Sequence, residues 1–172
     1  PENNIRLAEK KDSQYLKESI HEVKALLAYA KVPLNSTFTL EISHHKGKRN
    51  FSKVGTTIIN CINREYCKKI LVQLPGQNHP LHYHPRKEET FQVLYGQLNM
   101  ISDNHKYTLN PGETLTVLPG VWHSFGSKGG CVFEEISSTH FDDDSVYKDK
   151  EIRKLKRKDR KTIVDHWGRF QI

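Results

Sequence analysis

Residues 76–96, GQNHPLHYHPRKEETFQVLYG, hold the pattern on which the fold turns. His82 and His84 are two residues apart. On an extended strand, residues i and i+2 face the same side, so both imidazoles point one way. Glu89 follows just before a β-type run, Thr90–Tyr95, and a turn between them can bring its carboxylate beside the two rings. A second turn, in LPGVWHSF, leads His123 into another strand. Three imidazoles and one carboxylate suit a borderline divalent metal such as Mn, Zn, Fe, Co or Ni, with two octahedral positions left open.

Outward from this stretch the chain alternates with a period of two. Short apolar or β-branched runs fall at 37–43, 56–62, 66–74, 90–95, 97–102, 106–109, 113–118 and 131–138. Gly, Pro, Asn and Asp separate them, as in Asn110-Pro111-Gly112-Glu113, where Pro fixes φ and Gly tolerates φ > 0. Eight such runs predict an all-β sandwich or barrel over residues 37–145. Before it, within an N-terminal segment 1–36, Leu16, Ile20, Val23, Leu27 and Ala30 recur at helical spacing. They predict an amphipathic helix over 12–31, capped by Asp12 or Ser13 and closed by Pro33. After it, residues 146–172 form a basic tail. Its apolar patch (Ile163, Val164, Trp167, Phe170) predicts a final helix docked on the barrel.

Composition narrows the function classes. The chain has 172 residues, 35% hydrophobic and 27% charged, which suits one domain with polar ends. The net charge of +7 invites a nucleic-acid partner, but Lys148–Lys161 alone hold nine basic against three acidic residues. The excess is a local feature of the tail, and no nucleic-acid partner is expected. No run approaches the about 18 apolar residues of a membrane span, and the N-terminus lacks a signal-peptide core, so a cytoplasmic protein is expected. The sole Met is Met100, which suggests a module excised from a longer polypeptide. Cys61, Cys67 and Cys131 form no CxxC and are expected as buried free thiols. His44 and His45 are adjacent and are expected at the surface.

Gly76-x5-His82-x-His84-x4-Glu89-x6-Gly96 matches the first motif of the cupins in full, and Gly112, Pro119, Gly120 and His123 match a variant of the second. The Asn position that usually ends the second motif is not filled, Gly126 coming three residues after His123, and that Asn is not a ligand. The resemblance implies a double-stranded β-helix with the metal in the barrel mouth, held by His82, His84, Glu89 and His123. It also implies a homodimer, with the N-terminal segment helping at the strand edges.

HYHPRKEE, LPGVWHSF and EEISSTHFDDDS further resemble the cupin-type D-lyxose ketol-isomerases, which use a metal, most often Mn, with a Lys and a Glu as acid and base. That resemblance places the pair at Lys87 and Glu135. Glu134 and Glu135 are neighbours on a strand, so only one of them can point into the barrel. Tyr95, Tyr83 and Trp122 either stack on a sugar ring or pack in the wall, and His140 lines the mouth or lies in a polar loop.

LEISHHKG, residues 56–84 and GCVFEEISSTHFDDDSVYKD resemble the C-terminal cupin module of sialic-acid (nonulosonate) synthase-like proteins. Two functions follow: an aldose–ketose isomerase of a small sugar, or a non-catalytic, metal-dependent sugar-binding module fused to or paired with a synthase. A third class, iron-dependent dioxygenase, needs an apolar pocket, against which the polar HPRKEE and EEISST segments argue.

Overall fold

The computed structural model describes residues 2–165 and residue 167, with residues 2–10 described by backbone alone. Helix α1 runs Glu2–Ala30, ten residues further toward the N-terminus than its apolar spacing predicts. The added stretch is rich in Ala, Leu, Glu, Lys and Arg and has no internal Gly or Pro to stop a helix. Asp12 and Ser13 therefore lie inside the helix and do not cap it; Asp12 accepts a hydrogen bond from Arg49 Nε at 2.6 Å. Lys31, at φ 53°, ends the helix ahead of Pro33.

Twelve strands follow among the described residues: β1 Thr39–Ser43, β2 Thr56–Asn63, β3 Tyr66–Gln73, β4 Asn78–Tyr83, β5 Glu89–Gly96, β6 Leu98–Ser102, β7 His105–Leu109, β8 Thr114–Val117, β9 His123–Gly126, β10 Cys131–Ser138, β11 Val146–Tyr147 and β12 Lys161–Asp165. They form a seven-stranded sheet, β12-β1-β2-β3-β10-β5-β8, and a five-stranded sheet, β11-β4-β9-β6-β7. The pairings between these strands are antiparallel. This is the all-β double-stranded β-helix expected from the sequence. No described helix is long and apolar enough to cross a membrane.

The tail contains two short helices, α2 Lys150–Lys154 and α3 Arg157–Arg160. Residues 161–165 are not part of a final helix: they pair with β1, from Thr39↔Asp165 to Ser43↔Lys161. Satisfying the backbone of an edge strand outweighs the helical preference of a basic run. Phe170 lies outside the described residues.

The seven-stranded sheet serves two cores. On its outer face Leu40, Ile42, Ile59, Ile70, Val72 and Val132 pack against Leu16, Ile20, Val23 and Leu27 of α1. The N-terminal helix thus covers the outer face of the sheet, in one cluster with Val164 of the edge strand β12. On the inner face Leu71, Phe91, Val93 and Phe133 meet Leu98, Met100 and Phe125 of the smaller sheet. A fully buried side chain of this kind contributes about 1.5–3 kcal/mol. Where β5 turns into β6, Gly96 has φ 77°, and a Cβ there would meet the Gly130 carbonyl oxygen at 2.2 Å. Only glycine fits the last position of the first motif.

Candidate metal centre and barrel mouth

His82 lies on β4 and His84 one residue beyond its end, so the i, i+2 relation survives. Strand β9 pairs with β4 so that His123 is directly opposite His82, with ring centroids 4.1 Å apart. The Gly120 N–H donates to the His84 carbonyl at 2.8 Å and ties the turn before β9 to the end of β4. Glu89 opens β5 in the opposite sheet. One ligand atom from each of the three histidines lies within 4.8 Å of the others, and all three side chains are buried.

Hydrogen bonds on the far side of each ring fix its tautomer. Nδ1 of His82 is 2.9 Å from the Pro80 carbonyl oxygen, Nδ1 of His84 is 2.6 Å from that of Asp144, and Nδ1 of His123 is 3.0 Å from that of Val121. A carbonyl only accepts, so each Nδ1 carries a proton, and in the neutral imidazole Nε2 is then the lone pair open to a cation. In the neutral rings the Nε2 atoms of His84 and His123 then turn lone pairs toward the Glu89 carboxylate, Oε1 at 3.3 Å from His84 and Oε2 at 3.0 Å from His123. Oε2 of Glu89 and Nε2 of His123 are buried without a hydrogen-bond partner. Acceptors facing acceptors in a buried site fit a cation between them. Burial, then His123, His79 and His84, hold His82 well below its ordinary pKa. These four side chains could hold a divalent ion.

Lys87 and Glu135 meet at the same mouth. Lys87 Nζ donates to Glu135 at 2.8 Å and lies 2.5 Å from Glu89 Oε1, with all three side chains buried. Burial opposes the ammonium, but the Glu135 and Glu89 carboxylates outweigh it and raise its pKa. The turn carrying Lys87 is anchored by Asp144, whose carboxylate accepts from the Arg86 and Lys87 backbone N–H groups at 3.1 and 3.0 Å. Glu134, on the opposite face of β10, pairs with Lys68 at 2.9 Å.

The cavity at the mouth, about 40 Å³, is lined by His82, His84 and Glu89 together with Lys69, Lys87, Glu135 and His140, among others. His140 is therefore a mouth residue; burial above all, then three nearby lysines, press its pKa down to about 2. Tyr95 is elsewhere, on the outer face of β5 against Tyr29 of α1 at 5.8 Å between centroids. Simple alternation would put it on the inner side with Glu89, Phe91 and Val93, but the strand bulges at Leu94, where the pairing with β10 shifts register between Val132 and Phe133, and this turns Tyr95 to the other face. Trp122 packs edge-on to Tyr83 at 4.6 Å, outside the lining of this cavity, because its neighbour His123 takes the inward position.

Several residues here are absent from the motif-based set. Buried His79 stacks on Phe125 and touches the His82 ring at 4.5 Å. His45 is not a surface residue: only 1% exposed, its Nε2 is 3.2 Å from that of His79. His44 is equally buried, its Nε2 2.9 Å from Thr162 Oγ1 on β12. The edge strand expected as a helix is what covers them. Lys69 is betrayed in sequence only by alternation, since Cys67, Lys69 and Leu71 share the inner face of β3.

A sequence profile described as cupin domain matches residues 70–135. The D-lyxose/D-mannose isomerase of Thermosediminibacter oceani is 28% identical over 138 residues, covering 63% of this chain and 76% of that protein. The D-lyxose ketol-isomerase of a Thermofilum species is 27% identical over 130 residues, covering 59% and 72%. Among solved structures, the L-ribose isomerase of Acinetobacter sp. DL28 superposes with a TM-score of 0.67 at 13% identity, over 82% of this chain and 94% of that one. That of Geodermatophilus obscurus gives 0.66 at 14% identity, over the same shares. At that identity these two show a shared fold.

Proposed function

The barrel of this chain is a cupin domain, and on that premise we propose that the protein is a divalent-metal-dependent aldose–ketose isomerase of a small sugar. The observation that carries this reading is the buried Lys87–Glu135 pair, 2.8 Å apart, in the same mouth as three converging imidazole nitrogens. The names of the two curated relatives support it. His82, His84, His123 and Glu89 would hold the ion, Mn being the first choice, which when bound polarises neighbouring sugar oxygens. Glu135, the acceptor of the pair, takes the proton from C2 and returns it to C1. The hydroxyl proton passes from O2 to O1, so atoms and charge balance across the isomerisation. Lys87, which has only donors, hydrogen-bonds the oxygen on which negative charge grows. Asp144 is a positioning residue that holds the Lys87 turn. The homodimer expected from the sequence belongs to this reading, and sedimentation of a clean 20 kDa monomer at micromolar concentration would count against it.

The test is turnover of pentoses and hexoses by the full chain with added Mn. Glu135→Gln and Lys87→Ala are expected to lower kcat by about 10²–10⁴ while metal content stays at the wild-type level. The proposal fails if no sugar is isomerised with Mn, Zn, Fe, Co or Ni. It also fails if both variants keep the wild-type rate.

A further inference from the structure

His79 and His82 are three residues apart, and on a regular strand such residues point to opposite faces. Both are nevertheless buried on the inner side of β4. The cause is an irregularity in the strand. The register with β9 holds at His79↔Phe125, resumes at His82↔His123 and shifts between them. Pro80 and Leu81 fall in that gap. The Leu81 carbonyl takes the Lys148 N–H at 2.9 Å. The Pro80 carbonyl accepts from two imidazoles, His79 Nδ1 at 3.1 Å and His82 Nδ1 at 2.9 Å. A carbonyl oxygen has two lone pairs and can serve both rings.

With its proton at Nδ1, the neutral His79 ring keeps a lone pair at Nε2. That nitrogen does not join the converging set of His82, His84 and His123. It lies 3.2 Å from Nε2 of His45, two residues past the end of β1. His45 therefore carries its proton at Nε2 and donates it to His79. The other His45 nitrogen, Nδ1, is buried with no hydrogen-bond partner, as suits a ring whose one proton is elsewhere. Plain phenyl rings would pack here equally well: His79 stacks on Phe125 at 4.6 Å, and His45 leans on Tyr147 at 4.9 Å. Two buried imidazoles cost desolvation that two phenyl rings would not. What they add is a hydrogen-bonded chain from His45 through His79 to Pro80, ending on the carbonyl that sets the tautomer of His82.

From this chain and the strand irregularity that creates it, we propose that His79 and His45 are positioning residues for the metal ligand His82. His45 fixes the tautomer of His79, and His79 fixes the Pro80 carbonyl. The carbonyl in turn holds the His82 ring with Nε2 toward the ion. An outer hydrogen bond of this kind orients a ligating imidazole and raises its basicity. Neither His79 nor His45 is a ligand. The inference deepens the proposed metal-dependent reading and rests on an ion being held at His82.

The test reads metal affinity without sugar. Mn dissociation constants of the full chain are measured by competition with a fluorescent chelator, beside the melting temperature of each metal-free protein. The proteins are wild type, His79→Phe, His79→Asn and His45→Phe. Phe keeps a ring against Phe125 and loses the donor, whereas the Asn amide nitrogen takes the place of Nδ1 and donates to Pro80. His79→Phe is expected to weaken Mn binding about 10-fold, the lower end of the cost of losing an outer partner, because His82 keeps its own bond to Pro80. His79→Asn should stay within about 3-fold of wild type, and His45→Phe should fall between wild type and His79→Phe. A purely structural role would lower the metal-free melting temperature and leave the Mn constants alone. Wild-type Mn affinity in His79→Phe overturns the proposal, as does an affinity in His79→Asn no better than that of His79→Phe. If the variants fail to fold, nitrogen NMR shifts of the imidazoles in metal-free wild type decide. His79 and His82 should be protonated at Nδ1 alone and His45 at Nε2 alone; a His79 ring protonated at Nε2 overturns the proposal. Mn binding with the expected order of affinities but no sugar turnover would sink the isomerase reading alone. Turnover with wild-type Mn affinity in His79→Phe would sink only the positioning role.

Discussion

The two ends of the barrel interior are built by the same strands and differ in almost every chemical respect. Along β10 the inward residues are Phe133 and then Glu135; along β5, Phe91 and then Glu89; along β9, Phe125 and then His123; along β3, Leu71 and then Lys69. Register keeps the levels together between β10 and β3, where Phe133 lies opposite Leu71 and Glu135 opposite Lys69; toward β5 they are offset by one step, with Phe133 opposite Val93 and Glu135 opposite Phe91. A step of two residues along each strand therefore takes the interior from a closed apolar plug to a charged mouth. The plug supplies the burial that holds the sheets together, and the mouth spends some of that stability on buried ions whose desolvation must be met by neighbours.

The sharpest way to break this division is to cut both levels on one strand. Phe133→Ala should destabilise by about 3–5 kcal/mol, as for a large aromatic removed from a packed core. Metal stoichiometry and turnover per folded molecule should stay at wild-type values in the variant. Denaturant unfolding alongside metal analysis checks it. Loss of metal from folded Phe133→Ala protein would show that the plug also shapes the centre.

The next effect belongs to the mouth. Metal at 100 times its dissociation constant should stabilise the fold by about 2.7 kcal/mol, because the ion binds only the assembled site. Chelation should remove that increment, and a His82→Ala/His84→Ala double variant should show none. Thermal melts with and without Mn are the measurement. A full increment in the double variant would remove these histidines from the ligand set.

Near neutrality a third effect is silent, and it appears only in acid. Burial would raise the Glu41 carboxyl, but Lys161, Lys69 and Arg157 outweigh it and bring its pKa from 4.5 to about 2. Asp142 shares Arg157, at 2.9 Å. Between those values the unfolded chain binds the proton that the folded one refuses, so stability falls as the pH falls. The contribution of Glu41 is complete above about pH 4.5 and is lost on the way to about pH 2. In Glu41→Gln the slope of stability against pH over that window should flatten. An unchanged slope would place the acid lability elsewhere.

How much of this was legible in the sequence follows the same division. The strands that build the plug and the meeting of His82, His84, Glu89 and His123 in one place were readable, because alternation and fixed motif spacing are local patterns. Strand β4 resisted detection as a regular run because Pro80 lies within it and its pairing to β9 shifts between His79 and His82. Strand β12 was hidden in a basic run that has no partner until β1 is known. Lys69 and Lys161 were hidden for a related reason: each stands beside another cation in sequence, Lys68 and Arg160, and such runs usually lie in solvent. Alternation along β3 is the one local sign that separates Lys69 from Lys68, and the fold shows Lys69 turned inward and Lys68 turned out.

Glu134 and Lys68 provide the smallest effect and the control for all the others. They lie on the outer face of the same two strands that carry Glu135 and Lys69, offset by one residue. Their 2.9 Å ion pair is partly open to solvent, with the Lys68 side chain 46% exposed and that of Glu134 17%. An ion pair so placed is screened and pays side-chain entropy, and is worth about 0–1 kcal/mol. Glu134→Gln should therefore move stability by less than about 1 kcal/mol and leave kcat, metal content and sugar affinity where they were. Set beside Glu135→Gln, it isolates what one residue of offset along a strand decides, since both changes remove one carboxylate charge from neighbouring positions. A rate loss in Glu134→Gln approaching that of Glu135→Gln would mean that the effect follows the net charge of the strand, and that pointing into the barrel confers no special role on Glu135.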